Sequence, residues 1–142
     1  MATLDRGNRW TNLAAPSLDD FEILAGEAYV RLPNNFRELS GAIVFRIADF
    51  PDDEVLEDLG LESAYDLLGL FQGIGMSEAS SSPMTGQPPN QIWLYRRPIL
   101  DYWAEYEDSL GDIITHVLVH EIGHHFGLSD SDMEHIEMAA AP

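Results

Sequence analysis

Apolar residues recur at helical spacing from position 18, where Leu18, Phe21, Leu24, Ala25, Ala28 and Leu32 share one face. Ser17 with Asp20 three residues on is a variant of the capping box, and Pro33 stops the helix. Residues 42–48 switch to alternation, with Ile43, Phe45 and Ile47 on one side and Val44 and Arg46 on the other, which predicts a strand. Pro51-Asp52-Asp53 is a turn into a short helix ending near Gly60. The short apolar run Tyr65 to Gly73 is interrupted by Gly69 and Gly73 and predicts a strand over Leu67 to Phe71. Gly73 to Gln91 is rich in Gly, Ser, Pro and Met, cannot build a packed core, and predicts a long mobile loop. Gln91 to Arg96 alternates Ile92 and Leu94 against Trp93 and Tyr95, a second clear strand. Pro98 suits the first turn of a helix holding Ile99, Leu100, Tyr102 and Trp103. Asp108 or Ser109 can cap a helix from Leu110 to Phe126, and a last helix runs from about Ser131 to Met138. No repeat or linker divides the chain. It reads as a single α+β domain over 17–142, preceded by a polar, irregular extension at 1–16.

The helix over 110–126 stands apart because its apolar residues point in every direction, which predicts burial on all sides. His116, His120 and His124 repeat every four residues along it, and all five histidines of the chain fall between 116 and 135. Burying imidazoles costs free energy unless each is hydrogen-bonded or bound to metal. The stretch His120-Glu121-Ile122-Gly123-His124-His125-Phe126-Gly127-Leu128-Ser129-Asp130 predicts a zinc site. Histidines four apart project from one helix face, so both imidazoles reach one ion. Glu121 is turned about a hundred degrees around the axis from His120, where it is no ligand but can act on water as a general base. Gly127 can adopt the left-handed conformation that turns the chain back and brings Asp130 in as third ligand. Three protein ligands leave a fourth tetrahedral corner for water. The other donors have plainer readings. His116 is first a satisfied core histidine and second a substitute ligand or a residue bonded to a ligand, His125 points away as a core residue or a support behind the ligands, and His135 lies beyond the ion's reach. Glu134 or Glu137 would replace Asp130 if it is not the third ligand.

The net charge of −18 and the pI near 4.2 argue against nucleic acid and anionic membrane as partners. No lysine is present, so lysine-nucleophile chemistry is excluded. The absence of cysteine excludes a thiolate site, a cysteine nucleophile and disulfides, which is compatible with a cytoplasmic protein. No apolar run approaches the length of a membrane span.

Leu67-Leu68-Gly69-Leu70-Phe71-Gln72-Gly73, Ile92-Trp93-Leu94-Tyr95-Arg96-Arg97-Pro98 and His120 to Asp130 together resemble the small bacterial zincin-like metallopeptidases, sometimes called minimal metalloproteases. The likeness covers about residues 18–138. It implies a zincin-like α+β domain, with a short mixed sheet packed on the buried helix that carries the motif. It also implies Zn2+ held by His120, His124 and Asp130, Glu121 as the catalytic residue, and a peptide or protein substrate. The pattern is also similar to that of metzincins, in which a methionine turn underlies the metal, whereas Met133 and Met138 fall in or beside a predicted helix. The strand from Gln91 to Arg96, if at the sheet edge beside the motif helix, would align an extended substrate, and Tyr95 or Arg96 would face an oxyanion. Two rival readings remain. One is a zinc-stapled module that binds a protein partner without catalysis, the other a plain acidic interaction domain.

Overall fold

The computed structural model describes residues 9–73 and 89–141. Most of the expected loop, residues 74–88, lies outside the described residues. Of residues 1–16, expected as an irregular extension, 9–12 make a helical turn. The first long helix, α1 (Leu18–Arg31), starts where the capping pattern put it. The Ser17 hydroxyl accepts from the Asp20 N–H at 3.1 Å, and the Asp20 carboxylate accepts from the Ser17 N–H at 2.8 Å. Helix α1 buries Phe21, Ala25 and Ala28 and packs on β1 (Ile43–Ala48) and on the motif helix α5 (Leu110–His125).

Helix α2 (Asn34–Ser40) has no counterpart among the sequence expectations. Seven residues are too few to display a period. It is held instead by buried Phe36, by the Tyr29 hydroxyl 3.1 Å from Ser40 Oγ, and by Arg37 Nε donating to the Leu32 carbonyl. After β1, α3 (Asp53–Leu59) ends at Gly60, where the sequence ended it, and the φ of 69° there is a left-handed stop. A 3-10 turn (Ala64–Asp66), β2 (Gly69–Gln72), β3 (Asn90–Tyr95) and α4 (Arg96–Glu105) lead to α5 and then to α6 (Asp130–Ala140).

The strands form a mixed sheet in the order β1-β3-β2, with β1 parallel and β2 antiparallel to β3. Pairing rows Phe45–Ile92–Phe71 and Ile47–Leu94–Gly69 share one face by strand alternation, and Ile92 and Leu94 on it are fully buried. Among the described residues β3 is the central strand. This corrects the expectation that Gln91 to Arg96 forms the edge beside α5; that edge is β2. Gly69 explains the change. A Cβ there would stand 2.6 Å from Val117 Cγ1 and 2.9 Å from the Trp93 carbonyl, so only glycine lets β2 fit between α5 and β3.

Helix α5 is buried on one side only. Ile114, Leu118, Val119 and Ile122 are fully buried, whereas His116, His124, His125 and Phe126 are exposed. The expectation of burial all round fails because a three-stranded sheet and a few short helices cannot surround a sixteen-residue helix. The histidine stripe is therefore at the surface. Among the described residues no helix is long and apolar enough to cross a membrane.

Candidate metal centre

Ser109, not Asp108, starts α5, its hydroxyl accepting from the Asp112 N–H at 3.1 Å. The helix ends in a Schellman motif: the Gly127 N–H bonds the His124 carbonyl at 3.2 Å and the Leu128 N–H bonds the Gly123 carbonyl at 2.9 Å. Gly127 has a φ of 76°, as the turn requires. Two residues later Ser129 opens α6 with a second capping box, to Asp132. The expected last helix thus begins one residue early, and Asp130 is its first residue.

Helix α6 returns along α5. Met133 is fully buried against Gly123, where a Cβ would lie 2.5 Å from its Sδ, so the middle glycine of the motif is the seat of a methionine. One turn further along α6, Glu137 meets the histidine stripe. Its Oε1 is 2.6 Å from His116 Nδ1 and 3.3 Å from His120 Nε2. The donor atoms of His116, His120 and Glu137 all lie within 4.8 Å of one another. The rings of His116 and His120 are 3.9 Å apart, and those of His120 and His124 are 5.5 Å apart and nearly perpendicular.

The residues of the predicted site divide accordingly. His120 is in the close group; His124 and Asp130 are not. Asp130 is exposed, yet near enough for its charge to favour protonation of His120. That effect is outweighed: burial first, then the His116 charge, hold His120 below the ordinary imidazole pKa, which favours the neutral form a metal needs. Glu121 is half-buried, and desolvation pushes its carboxyl pKa up. The charge of His124 and the backbone N–H of Phe71 act in the opposite direction. Tyr95, buried near Glu121, is pushed up to about 12 by desolvation and then by the charges of Asp52 and Glu121, so its phenol stays protonated.

Other expectations change. Arg96 is committed to Asp49 Oδ1 at 3.0 Å and to the Pro16 carbonyl at 2.5 Å, so it is tied to the fold and not turned to a cleft. His125 is not a core residue: it is exposed, with its ring 4.4 Å from Phe71 and 5.0 Å from Phe126. His135 is also exposed, its Nδ1 2.9 Å from the Ser131 carbonyl of its own helix. His116 as a substitute ligand and Glu137 as a replacement for Asp130 were each named from the sequence, and the structure brings both to His120; their pairing with each other was missed. A signal existed, since Met133 and Glu137 lie four apart on α6 and so share a face, but only the seating of Met133 on Gly123 shows which part of α5 that face meets.

The chemistry of this donor set fits a divalent cation. Glu137 Oε1 is buried, and among the described residues nothing is aligned to hydrogen-bond it, although two imidazole nitrogens approach it closely. Buried carboxylate oxygens ordinarily have a donor. Two imidazoles and a carboxylate converging without aligned protons between them are what a zinc-type ion requires.

A model of the zincin-like metallopeptidase family matches residues 40–140. The chain belongs to that family. Comparison with curated proteins found no match. The matched segment spans the sheet, the motif helix and α6 and leaves out α1, and membership implies a metal, typically zinc. The small zincin-like α+β domain expected from the sequence is therefore the fold of this family member.

Proposed function

We propose that this zincin-like metallopeptidase is a zinc-dependent peptidase, with His120, His124 and Asp130 holding the ion and Glu121 as the general base. The observation that carries the reading is the setting of Glu121. Its half-buried carboxylate lies close enough to His124 and to the Phe71 N–H of β2 for both to act on its charge. When bound, zinc supplies a Lewis acid that polarises a peptide carbonyl and acidifies water. The protein supplies the rest. Desolvation raises the proton affinity of Glu121, so it can accept a proton from water and release it to the leaving amine. The edge of β2 that passes Glu121 takes the place first given to Gln91 to Arg96 as the strand that aligns an extended peptide. Tyr95, neutral at physiological pH, keeps its O–H available as a donor near Glu121. The substrate is a peptide or protein, and the lack of cysteine suits a reducing cytoplasm.

The test is Glu121→Gln, assayed on a fluorogenic peptide library with zinc content measured on the same samples. Hydrolysis is expected to vanish and zinc to stay. Loss of zinc with the carboxylate would make Glu121 a ligand and end this scheme.

A second reading has one observation in its favour. His116, His120 and Glu137 converge beside His124, so an ion drawn to all four meets a closed shell of protein donors and serves as a staple. Elemental zinc with a metal-dependent melting temperature, and no hydrolysis of any peptide, would select it.

A further inference from the structure

From the convergence of His116, His120 and Glu137 we infer a second cation site, one helical turn N-terminal to the motif. It shares His120 and therefore excludes the motif site while it is filled. The inference goes beyond the peptidase reading and does not need it. Three observations carry it. Nitrogen and oxygen donors of the kinds a zinc-type ion prefers stand within 4.8 Å of one another. Glu137 Oε1 is buried between His116 Nδ1 and His120 Nε2 with no aligned hydrogen bond, an arrangement that suits an ion between the three side chains. Beside the cluster opens a cavity of about 310 Å³, lined by His116, Glu137, Asp108, Asp112 and Tyr102, so carboxylates draw a cation toward these donors.

The histidine that acts on Glu121 is His124, on the other side of His120. A cation held by His116, His120 and Glu137 takes His120 away from His124 and leaves Glu121 without a metal partner. This is a resting position for the ion: the two positions compete for one ion through His120, so at saturating zinc a fixed share of the protein, set by the two affinities, is held inactive.

Cobalt(II) titration followed by its visible absorption tests the inference, with circular dichroism confirming that each variant is folded. The double variant His124→Ala/Asp130→Ala is expected to bind one cobalt ion. Adding Glu137→Gln, which keeps the side-chain shape, or His116→Ala, at an exposed position, should abolish that spectrum. If His124→Ala/Asp130→Ala binds no more cobalt than His120→Ala, the second site does not exist, and the peptidase reading stands untouched. If instead His116→Ala/Glu137→Gln binds none while His124→Ala/Asp130→Ala binds normally, the second site stands and the motif ligands are refuted. The functional counterpart is faster hydrolysis at saturating zinc in Glu137→Gln than in the wild type. Hydrolysis at saturating zinc no faster than in the wild type would overturn the resting role.

Discussion

The histidine stripe of α5 has two ends, and they are built for different work. Upstream of His120, His116 and Glu137 gather donor atoms at one point, around a buried carboxylate oxygen that makes no aligned hydrogen bond. Downstream, His124 stands near Glu121, whose carboxyl pKa is raised by burial, while Asp130 stays exposed at the start of α6. Grip and chemistry are therefore separable on one helix. The four-residue repeat aligns three imidazoles, but the second helix decides which pair finds a carboxylate, and Met133 on Gly123 sets where that helix lies.

The largest expected effect is at the downstream end. Glu121→Gln should lower peptide hydrolysis by about 10²- to 10⁴-fold, the range for removing a general base, while zinc content is unchanged. A smaller loss in steady-state assays would mean that the downstream end owes little to its base. Next comes the contrast between the two imidazoles that flank His120. His124→Ala should remove hydrolysis, whereas His116→Ala, which empties only the resting position, should not slow turnover. Equal losses would erase the distinction between the ends.

The hinge of the comparison is Gly123. Gly123→Ala places a Cβ within 2.5 Å of Met133 Sδ, and overpacking of this kind costs about 1–3 kcal/mol. A lowered melting temperature in thermal unfolding is the expected result. Because α6 must move to make room, cobalt affinity at His116 and Glu137 should fall more than affinity at the motif. An unchanged melting temperature would show that α6 is not seated as described.

The smallest effect lies outside both ends and serves as the control. Asp20 is held below its ordinary carboxyl value of 3.8 by the Ser17 backbone and then by its hydroxyl. A carboxyl depressed in the folded state contributes stability that is complete above its unfolded value and is lost as pH falls through its folded value. Asp20→Asn should therefore flatten the acid limb of stability below about pH 4 and leave both cation sites alone. A change in metal binding would mean that the effects assigned to the site travel through the whole fold.

Much of this was legible in the chain. The Ser17–Asp20 box, the left-handed Gly60 and Gly127, and the alternation of Ile92 and Leu94 each depend on a few neighbouring residues, and each appears where local chemistry puts it. What escaped depends on partners far away in sequence. Gly69 made its segment look ambiguous because the reason for the glycine, Val117 on α5, lies 48 residues further on (117 − 69). The order of the strands escaped for the same reason, since alternation shows that a strand exists but not which neighbours it has. At the site, the motif named His120 and Glu121 from spacing alone, whereas the approach of Glu137 to His116 follows from the packing of α6 and no local pattern carries it.

The most direct test is a crystal structure of the untagged protein with one equivalent of zinc, collected at the zinc edge. The account predicts one anomalous peak bonded to His120 Nε2 at about 2.0–2.1 Å, with His124 and Asp130 completing the protein ligands and Glu121 close by but unbonded. A peak bonded to Glu121, or no peak at His120, would contradict it.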